Sequence, residues 1–226
     1  MTLRLPAPFA AALSPPSRTL PALVAALCLT LAGCTDETQP VPDNPGGVIV
    51  SGVDEGAYRG AEPAAPYRMP DVTLTSTNGR DFDLETDTGY PVTLVFFGYT
   101  HCPDVCQLVM SDITSALVQL PDDVRDQTQL VFITSDPARD TPEALREYLD
   151  RYDTDYVGLT GDIDTIVEAA DAMGVAIEGR KRLPSGGYEV AHGAQIVGFR
   201  GDEAPVLWTE GTSVPDLVDD IVALAS

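Results

Sequence analysis

Phe96-Phe97-Gly98-Tyr99-Thr100-His101-Cys102-Pro103-Asp104-Val105-Cys106 sets two cysteines four positions apart, between an apolar strand-like run and an amphipathic helical pattern. A strand that feeds directly into a helix exposes side chains at the junction. Backbone N–H groups and the positive end of the helix dipole then favour thiolate over thiol. Thiolates are what disulfide exchange and soft-metal binding both require. Residues at i and i+4 lie about 6 Å apart along a helix axis at 1.5 Å per residue, within the roughly 4.4–6.8 Å Cα separation of a disulfide. Cys102 is expected just outside the helix and Pro103 in its first turn, where a missing N–H leaves nothing unsatisfied.

Outward from this block, Val92-Thr93-Leu94-Val95-Phe96-Phe97 is nearly continuously apolar, the pattern of a central strand covered on both faces. After it, Val105, Val109, Ile113, Ala116, Leu117 and Leu120 recur with a helical period. Leu130-Val131-Phe132-Ile133 reads as a second buried strand, and Thr141-Pro142-Glu143 as a helix start with Thr141 at the N-cap. Tyr156-Val157-Gly158-Leu159 is a third strand, followed by a helix through Ile163, Ile166, Val167 and Ala170. Segments 174–177 and 188–190 flank a Gly/Arg/Lys-rich excursion over 178–187. Gln195-Ile196-Val197-Gly198-Phe199 and Val206-Leu207-Trp208 form a closing hairpin, and Ser213 caps a last helix through Leu217, Val218, Ile221, Val222 and Leu224.

Before the central strand, Asp71-Val72-Thr73-Leu74-Thr75 and Asp81-Phe82-Asp83-Leu84 alternate around Asn78-Gly79, a hairpin signal. Strand–helix alternation closed by a hairpin and a helix predicts an α/β protein. The expected fold is thioredoxin-like: a central mixed sheet flanked by helices, with an N-terminal β-hairpin extension.

The first 33 residues stand apart. Arg4 and Arg18 give a positive start without acidic residues, and Leu20-Pro21-Ala22-Leu23-Val24-Ala25-Ala26-Leu27-Cys28-Leu29-Thr30-Leu31 is an apolar core of signal-peptide length. It ends in Leu31-Ala32-Gly33-Cys34, which resembles the lipobox of bacterial lipoproteins, in which the cysteine becomes the lipidated N-terminus. The organisation expected is therefore a lipoprotein signal peptide over 1–33, lipidation at Cys34, a flexible acidic Pro/Gly-rich tether over 34–66 with short order near Tyr58-Arg59-Gly60, and the domain over 67–226. Cys28 leaves with the signal peptide and Cys34 carries lipid, so Cys102 and Cys106 are the free thiols that remain. An isolated pair is not the disulfide framework of a small secreted domain. The formal charge of −22, or −24 once Arg4 and Arg18 are removed, excludes nucleic acid as a partner.

Two thiolates alone seldom complete a metal site, and the chain offers two histidines. His101 adjoins Cys102, where neighbouring side chains diverge, so a structural or electrostatic part suits it better. His192 lies in Glu189-Val190-Ala191-His192-Gly193-Ala194, just before a central strand. In a thioredoxin-like fold the loop before that strand faces the N-terminus of the cysteine-bearing helix, which makes His192 the candidate third ligand.

The cysteine block, the later Ser135-Asp136-Pro137-Ala138-Arg139-Asp140-Thr141-Pro142-Glu143 and the distal His192 together resemble the SCO/SenC family over about 58–226. These are membrane-tethered thioredoxin-like proteins that deliver copper to cytochrome c oxidase. The resemblance implies a copper site of Cys102, Cys106 and His192, with the binuclear copper centre of oxidase subunit II as the destination. With the lipobox, the chain is expected to be lipid-anchored through Cys34 on the outer face of the bacterial cytoplasmic membrane, and a monomer is expected. The donors agree: thiolates suit Cu(I), and an added imidazole admits Cu(II). Zinc at a closed structural site would want a fourth protein ligand. A second reading stays open, in which Cys102 and Cys106 are the redox-active pair of a thiol-disulfide oxidoreductase acting on that subunit or on other exported proteins.

Three residues depart from the family pattern. Gln107 stands where proline usually follows the second cysteine, Ala191 where Asp often precedes the histidine, and Gly193 where Ser is common. Loss of the Asp is expected to weaken the orientation of His192. Asp136, Arg139 and Asp140 either approach the ligands or a partner, or only build a turn and helix cap. Gly179-Arg180-Lys181-Arg182 is a basic island on an acidic chain.

Overall fold

The computed structural model describes residues 56–226 apart from Ser185. The segment read as a signal peptide, the proposed lipidation site Cys34 and most of the segment read as a tether lie outside the described residues. Among those described, no helix is long and apolar enough to cross a membrane.

The elements, in chain order, are β1 (Tyr67–Arg68), β2 (Thr73–Ser76), β3 (Asp81–Asp83), α1 (Leu84–Asp87), β4 (Val92–Gly98), α2 (Val105–Gln119), α3 (Asp122–Arg125), β5 (Thr128–Thr134), α4 (Pro142–Leu149), β6 (Val157–Thr160), α5 (Ile163–Ala172), β7 (Ile177–Arg182), β8 (Tyr188–His192), β9 (Ile196–Arg200), β10 (Glu203–Trp208) and α6 (Val214–Leu224). Eight strands form one mixed sheet in the order β1-β10-β9-β4-β5-β6-β2-β3. β4, β5 and β6 run parallel, and β9 lies antiparallel against the other side of β4. The predicted hairpin is β2–β3, turning through Gly79 at φ 77°, and β2 annexes it to the sheet by pairing antiparallel with β6.

The apolar run of β4 is buried at every position because both faces of the sheet are covered. Leu94 and Phe96 pack with Met110 and Ile113 of α2, Leu145 of α4 and Ile221 of α6. Val95 and Phe97 point the other way, into a second core with Ile166 and Ala170 of α5. This period-two split between two helix layers is the thioredoxin-like arrangement predicted from the sequence.

Three details differ from expectation. α2 starts later than expected: Pro103 precedes the helix, and Asp104 is the N-cap, its carboxylate accepting from the Val105 N–H at 2.6 Å. The 178–187 excursion is not a loop but the greater part of a two-stranded ribbon, β7–β8, outside the main sheet. The packed chain also begins before Tyr67, at the short ordered stretch expected near Tyr58-Arg59-Gly60. The backbone N–H groups of Arg59 and Gly60 donate to the buried Asp220 carboxylate at 2.7 and 2.8 Å, and Ala61 bridges to Leu207. Gly60 is required there: a Cβ would lie 2.6 Å from Val206 and 2.8 Å from the Leu207 carbonyl. The C-terminal part of the segment read as tether is thus docked on the domain.

Candidate metal centre

The loop between β4 and α2 carries the first two candidate ligands. Its conformation is fixed at both ends. The Ser135 N–H donates to the Gly98 carbonyl at 2.6 Å, tying the end of β4 to the end of β5. Asp140, fully buried, accepts from the Thr100 N–H at 2.9 Å and from the Thr100 and Thr134 hydroxyls at 2.6 Å each. A turn closed by the Cys102 N–H on the Tyr99 carbonyl, at 3.1 Å, then aims Cys102 at the start of α2. Cys106 sits in the first helical turn, and its N–H donates to the Cys102 sulfur at 3.4 Å. Both cysteines are free thiols and both are buried.

His192 arrives from the end of β8. Its Nε2 lies 3.5 Å from the Cys106 sulfur, and the two sulfurs and one imidazole nitrogen all fall within 4.8 Å of one another. Nδ1 is 2.8 Å from the Gly193 carbonyl, so its proton points there and the Nε2 lone pair faces the sulfurs. The backbone carbonyl supplies the orientation that Ala191 does not. The Tyr99 ring stands edge-on to the imidazole, with centroids 5.7 Å apart, and its hydroxyl accepts from the Val190 N–H at 3.3 Å. Burial pushes the Tyr99 phenol up to about 12, so it stays neutral against the site.

The two thiols are unequal. A hydrogen bond from the Cys106 thiol holds Cys102 well below the ordinary thiol value against the opposing effect of burial, helped by the N–H groups of Cys106 and Asp104. The same bond, with burial, pushes Cys106 up. Cys102 is therefore the first thiolate and Cys106 keeps its proton until a metal or a mixed disulfide displaces it.

A metal bound at about 2.3 Å from sulfur and about 2.0 Å from nitrogen places those donors roughly 3.5 Å from each other, which matches the Cys106–His192 separation of 3.5 Å. The three donors fit one soft or borderline ion with little rearrangement. His101 stays outside the group. It is exposed, bonded to the Thr100 hydroxyl at 2.8 Å and 3.8 Å from Asp140. Gln107 does not disturb the pair; its amide reaches the Cys102 carbonyl at 3.5 Å.

Sequence reading missed the parts played by Tyr99 and Tyr188. Strand periodicity held a signal for the latter, since Tyr188, Val190 and His192 alternate onto one face of β8. Asp136 is fully buried beneath that strand and accepts from the Tyr188 hydroxyl at 2.9 Å. The 136–140 loop therefore does more than build a turn and a cap.

These features define a thioredoxin-like domain whose Cys-x3-Cys pair is completed by a distal histidine. The sequence profile of the SCO1/SenC family matches residues 61–225, and the chain belongs to that family. A Stutzerimonas stutzeri protein named for copper binding is 37% identical over 128 residues, 57% of this chain and 62% of its own length. The mitochondrial protein SCO2 of Saccharomyces cerevisiae is 39% identical over 93 residues, covering 41% of this chain and 31% of that one. The match thus spans less than two thirds of either relative. Among solved structures, the copper-bound ScoI of Bradyrhizobium japonicum superposes with a TM-score of 0.60 at 28% identity, covering 69% of this chain and 98% of that one. The apo Sco1 of Thermus thermophilus does so with a TM-score of 0.66 at 27% identity, covering 79% and 99%.

Proposed function

We propose that this protein is a copper metallochaperone that binds its cargo through Cys102, Cys106 and His192 and hands it to the binuclear copper centre of cytochrome c oxidase subunit II. It does so as a monomer held by lipid on Cys34 at the outer face of the bacterial cytoplasmic membrane. The observation that carries the reading is the convergence of two sulfurs and one correctly oriented imidazole nitrogen within 4.8 Å. Copper-bound relatives of the same fold support it. Three ligands leave the ion a free coordination position, which is what transfer to another protein needs. Oxidation of the two sulfurs to a disulfide removes both thiolates and releases the ion, so redox state gates loading.

The low Cys102 thiol favours a second reading, a thiol-disulfide oxidoreductase. The Cys102 thiolate would attack one sulfur of a partner disulfide and expel the other as a thiolate. Cys106, giving up its proton, would then displace the partner from Cys102. The pair ends oxidised and the partner gains two electrons. His192 divides the readings, because only copper needs its imidazole.

Titration of the reduced protein with Cu(I) against a competing chelator, beside His192→Ala, is the test. One tight equivalent that weakens by roughly 10-fold or more without the imidazole supports the chaperone. Disulfide reduction by His192→Ala at the wild-type rate supports the same division of roles. Weak copper binding that ignores His192 would leave the oxidoreductase in front.

A further inference from the structure

His192 rides on β8, and β8 hydrogen-bonds to β7 and not to the main sheet. Its backbone register alone therefore does not fix its distance from Cys102 and Cys106, which belong to the sheet's own β4–α2 junction. Something outside the ladder must hold the ribbon against the body.

Val190 does so in part, buried in the core and donating to the Tyr99 hydroxyl, and the rest of the contact is polar. Asp136, in the loop after β5, is fully shielded from solvent and receives donors from both strands of the ribbon. From β8 the Tyr188 hydroxyl lies 2.9 and 3.0 Å from its two oxygens, and from β7 the Arg180 Nη2 lies at 3.2 Å. Arg139, three residues further along the same loop, pairs with Asp136 through Nε and donates Nη1 to the Tyr188 carbonyl at 3.2 Å. The Tyr188 ring is within cation–π range of two cations, 3.8 Å from the Arg139 guanidinium and 4.8 Å from that of Arg180. The remaining Arg139 nitrogen, Nη2, is buried without a hydrogen-bond partner, so this guanidinium relies on the ring faces of Tyr188 and of Tyr99, 5.6 Å away. The loop's other end holds the cysteine loop, through Asp140 and Thr100.

We propose that Asp136, with Arg139, Arg180 and Tyr188, is the positioning clamp that sets His192 at bonding distance from the two sulfurs. One loop, 136–140, grips the histidine ribbon at one end and the cysteine loop at the other. This inference rests on the copper reading above for its consequence but not for its geometry. None of the four residues is a ligand; they act through the imidazole. The basic island of β7 is accordingly in part a structural anchor: Arg180 turns inward to Asp136, while Lys181 pairs with Glu189 across the ribbon.

The test is a cycle of variants in the full chain: Asp136→Asn, Tyr188→Phe, Arg180→Gln, His192→Ala and Asp136→Asn/His192→Ala. Asp136→Asn is expected to weaken Cu(I) binding about 10-fold in chelator competition, the scale of partners that orient a ligand. Arg180→Gln, at a half-exposed residue contributing one bond, is expected to cost a few-fold and to fold normally. The double variant is expected to bind no more weakly than His192→Ala alone. Amide hydrogen exchange of the metal-free protein supplies a second readout: 188–193 should exchange faster in Asp136→Asn and Tyr188→Phe, while β4 and β5 stay unchanged. The proposal is overturned if Asp136→Asn weakens copper binding by its full factor on top of His192→Ala, or if ribbon exchange is unaffected. A wild-type protein without copper affinity would sink the chaperone reading, and the exchange data would still decide the clamp.

Discussion

At the scale of single residues, the site turns on an asymmetry between two sulfurs in the same pocket. Cys102 accepts and Cys106 donates, so one proton serves both and the first ionisation belongs to Cys102. Iodoacetamide is expected to modify Cys102 first in the reduced, metal-free protein, with a midpoint well below the free-thiol value of about 8.5. Cys106→Ala removes the main donor and should raise that midpoint by about one unit or more. An unmoved midpoint would mean that the helix terminus, not the neighbouring thiol, sets the ionisation. Both cysteines were legible in the sequence because their type and spacing are chemically restrictive, and His192 was legible through the fold expected around it. The clamp was not, since Tyr188 and Asp136 are ordinary strand and turn residues until the fold sets them 2.9 Å apart.

At the scale of elements, the segment joining β5 to α4 carries two kinds of polar contact with different weights. Thr141 caps α4, accepting from the Ala144 N–H at 3.2 Å, and Thr141→Ala should cost about 1 kcal/mol in urea denaturation. Asp140, itself fully buried, satisfies three donors. Asp140→Ala strands the buried ones and should cost about 3 kcal/mol, together with a looser cysteine loop. Equal costs would indicate that water reaches the Thr100 donors. Apart from the two-residue edge strand β1, the strands of the main sheet were readable from the sequence because burial on one or both faces writes an apolar pattern. β7 wrote none: apart from Ile177 it is exposed throughout, so its pairing is decided by β8 and the clamp. The start of α2 was misplaced because Pro103 and Asp104 are both good helix beginners, and side-chain capping by Asp104 decided between them.

At the scale of the molecule, the boundary of the folded body is set by Asp220. This buried carboxylate on α6 gathers the Arg59 and Gly60 N–H groups and the Trp208 indole N–H, at 2.7, 2.8 and 2.7 Å. A chain beginning at Tyr67 lacks two of those three donors and also the pairing of Ala61 with Leu207. It should be about 2 kcal/mol less stable than one beginning at Gly56, with Tm lower by roughly 4–8 °C. Identical melting curves would return 56–66 to the tether. Composition could not mark this boundary, because the docked stretch is as poor in large apolar residues as the segment before it and is held by backbone donors.

The separate ribbon has a mechanical corollary. Swinging β7–β8 outward withdraws the imidazole without breaking a single rung of the eight-stranded ladder. What holds the imidazole in place is therefore the ribbon's own contacts, the Asp136 clamp and the burial of Val190, whereas the two sulfurs are fixed by the sheet and α2.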